Sequence, residues 1–180
     1  MDMFPAFKEW ALVCEALGNG QQNILIRKGG ISEGKAGFWF RHKEFFLFPT
    51  WFHGQLEKTI LRDGPLPFFV GNALEIRYLA STEWVRFVQD KAKIAKLREF
   101  HVLQDFVVQE RFQNRGLGVH VALVRVFRLN PPHYIPHKTE YGGCRSWIEI
   151  PSRQNGCVLA PAVGDGVHQK CRRALEKILD

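Results

Sequence analysis

The longest unbroken apolar pattern in the chain is Val119-His-Val-Ala-Leu-Val-Arg-Val-Phe-Arg-Leu129, which predicts a long strand. Upstream, Ala73 to Leu79 alternates, with Leu74, Ile76 and Tyr78 on one face and Glu75 and Arg77 on the other. Trp84 to Val88 predicts a further strand. Two short aromatic strands, Gly37–Arg41 and Glu44–Phe48, are joined by the basic turn Arg41-His-Lys43, and Pro49 stops the second. Asn23 to Arg27 is a compact strand followed by Lys28-Gly-Gly-Ile31, and Tyr141 to Ile150 predicts a strand that opens on Gly142-Gly143. Helical spacing occurs elsewhere. From Phe4 to Gly18 the positions Phe7, Trp10, Ala11, Val13, Cys14 and Leu17 recur at three- and four-residue steps, with Gly18 or Gly20 as the stop. Asp90 is placed to cap a helix through Arg98, with Ile94 and Leu97 inward and Lys91, Lys93, Lys96 and Arg98 outward. Further helices are expected over Leu103–Phe112 and Gly166–Leu179. Gly54 to Gly71, broken by Pro65 and Pro67, and the segment with Pro131, Pro132, His133, Pro136 and His137 predict loops. Strands in the middle and helices at the ends give an α+β fold. It is expected as one domain over residues 1–180, a small curved mixed sheet or β-barrel with an N-terminal helix, middle helices and a C-terminal helix.

The chain has 180 residues, enough for one domain with a real core. Its 15 Phe and 5 Trp exceed what a small core requires, so some rings are available for a surface. The net charge of +7 favours polyanionic partners, nucleic acid first. No segment approaches the roughly 20 apolar residues of a membrane span, and the start lacks the basic and apolar regions of a signal peptide. The expected location is the cytoplasm, with no membrane partner. Cys14, Cys144, Cys157 and Cys171 are far apart, with no Cys-x-x-Cys pair, and are expected as free thiols.

Candidate chemistry concentrates in Tyr141-Gly-Gly-Cys-Arg-Ser-Trp-Ile-Glu-Ile150. Gly142 and Gly143 permit a tight turn or a close backbone approach. Cys144, Arg145 and Ser146 place a planar donor fork between two small polar groups, and Trp147 supplies a flat ring. That set suits an anionic or planar ligand such as phosphate or a nucleobase. The alternative is a β-bulge with Trp147 buried and Arg145 solvated or paired to Glu149. Arg27-Lys28 and Arg41-His-Lys43 add cations that can meet phosphates, and Trp39, Trp51 or Trp147 can stack on a base. Arg27 and Arg145, each beside a glycine pair (Gly29-Gly30 and Gly142-Gly143), are expected to face one shared pocket.

Asp63 followed by Glu75-Ile-Arg77 mimics the Asp…Glu-x-Lys pattern of restriction nucleases, in which two carboxylates hold a Mg²⁺ ion. Arg77 is a poor substitute for that lysine, because it stays charged. Among the seven histidines, the spacing His133-x-x-x-His137 falls in a proline-rich segment, so no helical zinc pair forms. Cys144 with a distant histidine could make a nucleophile pair, yet no acyl-transfer motif accompanies it. No Walker A loop, dinucleotide fingerprint or nucleophile elbow is present. The chain is therefore read without catalytic residues and without a cofactor, the alternative being Mg²⁺ held by Asp63 and Glu75.

The runs Phe7-Lys-Glu-Trp10, Gly20-x-Gln22, Ile26-Arg-Lys-Gly-Gly-Ile31 and Phe45-Phe-Leu-Phe-Pro-Thr50 resemble the bacterial domain of unknown function 1802 family. Phe100-His101, Val121 to Leu129 and Tyr141 to Ile150 resemble its later blocks, so the likeness covers nearly the whole chain. What the resemblance implies is a setting: members are associated with Mrr-type restriction endonuclease domains. A weaker resemblance links Gly20-x-Gln22-x-x-Leu25-x-Arg27 to the Gly-x-Lys-x-x-Glu-x-Arg signature of ASCH domains, which are PUA-like barrels. Gln22 and Leu25 depart from that signature. The reading that follows is a DNA-recognition module of a restriction or defence system, with an endonuclease as partner. Its expected contacts are Arg27, Lys28, Arg41, Lys43, Trp51, Cys144, Arg145, Ser146 and Trp147. The alternatives are a Mg²⁺-dependent nuclease and a protein-interaction module.

Overall fold

The computed structural model describes residues 2–28, 38–64, 67–114, 116–153 and 156–180. Its frame is the antiparallel pair of β5 (Ala73–Val88) and β6 (Val119–Pro136). β5 joins the two strands expected at 73–79 and 84–88 into one, through register shifts near Arg77 and Glu83. The first shift changes the facing. Leu74 and Ile76 pack into one apolar cluster and Tyr78 into the other, so Tyr78 does not share their face as plain alternation predicts. The segment expected as a proline loop continues β6, with His133 to Pro136 paired to Ile76 to Ala73. Pro131 and Pro132 fall in the gap of the β5 ladder between Arg128 and His133, where no amide donor is needed.

Among the described residues, eight strands form a mixed sheet, in the order β2-β6-β5-β3-β1-β7, with β4 beside β5 and β8 beside β6. They include β1 (Met3–Trp10), β2 (Ile24–Arg27), β3 (Glu44–Thr50) and β4 (Phe69–Val70), with β7 (Trp147–Pro151) and β8 (Val158–Pro161) toward the end. β1 corrects the expected N-terminal helix, which begins only at Ala11. The strand lies inside the sheet, parallel to β3 and antiparallel to β7. Phe7 joins one apolar cluster while Ala6 joins the other, with Phe4 packed against it. Burial on both faces makes such a strand read as a continuous run rather than an alternation. Pro49 does not stop β3, which runs on to Thr50 with Pro49 opposite Glu9. Of the expected strand over 37–41, Gly37 lies outside the described residues, and residues 38–41 form no strand. β7 is shorter than expected, because residues 142–146 form a loop ahead of it.

The helices cover the sheet. α1 (Ala11–Gly18) ends where a side chain at Gly18 would meet the Tyr78 ring at 2.1 Å, so this close approach needs glycine. Asp90 caps α2 (Lys91–Ala95) by accepting from the amides of Ala92 and Lys93, and a 3₁₀ turn (Lys96–Phe100) follows. Ile94 and Leu97 point inward as expected. α3 (Asp105–Gln113) and α4 (Asp165–Leu179) complete the described chain, α4 through buried His168, Leu175 and Leu179. No helix among the described residues is long and apolar enough to cross a membrane.

Candidate nucleic-acid interface

The site starts from two consecutive charged residues of β1. Lys8 and Glu9 sit between Phe7 and Trp10, and both are buried, at 9% and 1% exposure. The two are turned to opposite faces of the strand. Lys8 Nζ donates to the carbonyl oxygens of Tyr141 and Gly143, each at 2.7 Å. It thereby holds the loop that leads into β7. Gly143 takes a φ of 79°, the left-handed turn that glycine tolerates, whereas Gly142 stays at −68°. Burial first, then the Arg145 charge, pull the Lys8 amine below its ordinary value; Cys144 opposes them, and Arg27 adds a smaller pull.

Arg27, the last residue of β2, spans the two ends of the strand order. Its Nη2 donates to Lys8 O at 3.1 Å and to Ser146 Oγ at 3.3 Å, so β2 is tied to the loop before β7. Its Nη1 lies 3.8 Å from Glu9 Oε2, and its guanidinium covers the Phe7 ring at 4.9 Å. Glu9 is shared: Arg111 stands over Trp10 and donates to Ile26 O, and Glu9 supports its charge. Burial is the larger influence on Arg111 and lowers it to about 10.

These groups open onto a cavity of about 1090 Å³. Lys8, Arg27, Lys138 and Arg145 line it, as do Cys144 and the rings of Trp10, Trp51, Phe52, Phe69 and Tyr141. No Asp or Glu occurs among its described lining residues. Arg27 and Arg145 thus share one cavity. A neighbouring recess of about 400 Å³ shares Tyr141 and Arg145 and adds Arg41, His42 and Trp147, with Glu140 and Glu149 on its wall.

The other expected contacts divide. Arg145 is exposed and donates to the Glu140 carbonyl at 2.8 Å, not to Glu149. Ser146 is buried and accepts from Arg27. Arg41 lies over the Trp39 ring at 4.7 Å. Trp147 packs edge-on to Phe7, Phe45 and His42 and donates its indole N–H to Trp39 O, so its ring is largely engaged within the protein. Lys28 points away from the cavity, donating to the carbonyls of Gly116 and Gly118. Lys43 sits in the turn before β3, where its carbonyl accepts from Thr82 N. The Gly29-Gly30 pair lies outside the described residues. Sequence reasoning missed Lys8 and Tyr141. The one available signal for Lys8 was a charged pair set between aromatic residues in Phe7-Lys-Glu-Trp10.

The carboxylates of the nuclease alternative stand elsewhere. Asp63 is exposed in the loop after β3. Glu75 is buried and engaged, by Arg77 Nε at 2.6 Å and by the Tyr134 hydroxyl at 3.0 Å. Among the described residues, no three His, Cys, Asp or Glu side chains gather as a metal site would require.

Fold and site together define an α+β protein with a curved mixed sheet and a cationic, aromatic cavity at the ends of β1 and β2. The chain belongs to the family described as Domain of unknown function (DUF1802), whose model matches residues 6–174. No curated protein matches it. Among solved structures, it is similar to an ASCH protein from Zymomonas mobilis, crystallised as a serine-to-alanine mutant. That similarity has a TM-score of 0.45 and 9% identity, and covers 94% of each chain.

Proposed function

We propose that the chain is a nucleic-acid-binding module whose cavity takes an unstacked base against Trp51 while Arg27, Arg145 and Lys138 meet phosphates. The observation that carries this reading is the cavity wall: four cations with aromatic rings among them and no described acid. Lys138 is paired to Glu140 at 3.1 Å and Arg27 lies 3.8 Å from Glu9, so the charge left over belongs to Lys8 and Arg145, and a polyanion relieves it. A second feature separates this reading from a protein-interaction surface. Among the exposed rings, Trp39 and Phe87 carry a cation, respectively Arg41 and Lys28, at 4.7 and 5.6 Å, while Trp51, Phe69 and Phe106 carry none among the described residues. Cation-capped rings suit stacked bases and backbone phosphates better than a dry apolar partner.

The association of the family with Mrr-type restriction endonuclease domains supports DNA as the nucleic acid and an endonuclease as partner. In that setting this module supplies recognition and the partner supplies cleavage. The test is fluorescence anisotropy with labelled single-stranded and duplex DNA and RNA. Binding is expected at about 50 mM salt, with a steep decline by about 200 mM. Absence of binding at low salt removes the reading, and preference for RNA over DNA removes its restriction part.

A further inference from the structure

The cavity is not uniformly cationic. Lys8 and Arg27 form its buried end, at 9% and 18% exposure, while Arg145 stands exposed nearer the opening. Their protein partners are mostly neutral. Lys8 donates to two backbone carbonyls, and Arg145 donates to one. Neither has a carboxylate within ion-pair distance among the described residues. The acid that reaches this group is Glu9, 3.8 Å from Arg27, and it also supports Arg111. Three cations against one shared carboxylate leave an excess of about two positive charges. Each of the three keeps unused N–H donors, because a lysine has three and an arginine five.

Resting on the nucleic-acid reading, we propose that Lys8, Arg27 and Arg145 form a subsite for a phosphomonoester dianion. The cavity then engages a nucleic-acid end bearing a terminal phosphate, or a mononucleotide, rather than the middle of a strand. Charge supports the choice: a phosphomonoester carries about −1.5 to −2 near neutral pH, whereas an internal phosphodiester carries a single charge. Shape supports it as well. A phosphodiester has a sugar on both sides, while a terminal phosphate can lead the way to a buried lysine. Arg27 then offers its planar fork and Lys8 a point charge to the same three oxygens.

The experiment compares one oligonucleotide with a 5′-phosphate, a 3′-phosphate or hydroxyl ends, with a nucleoside 5′-monophosphate as competitor. The expected result is about tenfold tighter binding of a phosphorylated end, and loss of that preference in Arg145→Ala. Lys8→Met is the sharper change, but Lys8 holds the 141–143 loop, so exposed Arg145 provides the variant that keeps the fold. Displacement by the monophosphate assigns the subsite to mononucleotides as well as ends, and its failure restricts the subsite to ends. Equal affinity for all three ends overturns the subsite and leaves the nucleic-acid reading standing. If no oligonucleotide binds, that reading fails, and the subsite is judged separately through Cys144. In a Cys157→Ser, Cys171→Ser background, inorganic phosphate should slow thiol modification of Cys144 severalfold relative to chloride at equal ionic strength. No slowing overturns the subsite.

Discussion

Two polar clusters lie against the sheet of this protein, and they differ in how their charge is closed. In the first, Arg77 reaches Glu75 at 2.6 Å and Glu15 of α1 at 3.2 Å. The Tyr78 and Tyr134 hydroxyls donate to the same two carboxylates. Burial and the Glu15 charge push the Tyr78 phenol well above its ordinary value. Each carboxylate there has two donors, and the cluster is complete without any ligand. In the second, Lys8, Arg27 and Arg145 share one cavity, and among them only Arg27 lies near a carboxylate, the partly committed Glu9. A satisfied cluster fixes structure, whereas an unsatisfied one holds donors ready for something that arrives. An arginine on a strand is thus no signal by itself; its partners decide which kind it is.

Breaking the closed cluster should cost stability and spare binding. Arg77→Ala leaves Glu75, 8% exposed, without its ion pair. Losing one partner of a buried pair costs about 3–5 kcal/mol. Arg77 is itself 34% exposed, and solvent screening reduces the expectation to about 2 kcal/mol. Urea unfolding should show this loss, with unchanged nucleic-acid affinity for the folded fraction. A variant of unchanged stability would mean that the network is not structural.

The open cluster should instead reveal itself through salt. If three phosphates of a bound strand are neutralised along the cavity wall, the logarithm of affinity falls with that of salt with a slope of about −2.1 to −2.7. Between about 50 and 200 mM, that is roughly a twenty- to fortyfold loss. A flat response would place the cavity in the same class as the closed cluster. At the level of a single residue, Arg145→Ala should weaken binding about tenfold, within the range for a hydrogen bond to a charged group, and leave the urea midpoint unmoved. A shifted midpoint with intact binding would make Arg145 a support for the 139–141 turn instead.

The contrast has a pH signature too. The folded-state pKa of Lys8 is depressed, so between that value and 10.5 the unfolded chain binds more protons than the folded one. Stability contributed at this site therefore rises as pH climbs through that window and is lost as pH falls below it. Lys8→Met should remove that slope from the difference between the two unfolding curves, provided the variant folds. An identical slope in the variant would mean that Lys8 is solvated.

Legibility followed the same division between local and long-range causes. The first part of β6 (119–129), the Asp90 cap and α4 are written in local spacing and fall nearly where the pattern predicts. β1 does not, because its apolar residues run continuously into α1 and their spacing fits a helix. What makes it a strand is β3 and β7 on either side, which no local window contains. The prolines of 131–136 predicted a loop for a similar reason: the bulge that accommodates them depends on β5. At the site, Arg27 and Arg145 stood out as arginines near glycines. Lys8 did not, since a helix through residue 8 gives it no route to Tyr141 or Gly143. Trp147 was visible as a ring, but its packing on Phe7 and Phe45 is again tertiary.

The smallest expected effect belongs to Asp63. The residue is exposed in the loop after β3, lines none of the cavities described above, and makes no side-chain hydrogen bond or ion pair among the described residues. Asp63→Ala should therefore stay within about 0.5 kcal/mol of the parent, as surface changes away from special features do. It should leave nucleic-acid binding intact, or strengthen it marginally by removing a negative charge. Its interest lies in the nuclease alternative, which needs Asp63 and Glu75 to hold one Mg²⁺ ion between them. A Mg²⁺ ion on Glu75 would have to share that carboxylate with Arg77 and Tyr134, and Arg77 would bring a positive charge against the metal. The check is a cleavage assay of the purified protein with Mg²⁺ on plasmid and oligonucleotide substrates, the parent beside Asp63→Ala and Glu75→Gln. Equal outcomes across the three keep the closed cluster structural. Cleavage by the parent that both variants lose would turn that cluster into the working site and demote the cavity to a substrate channel.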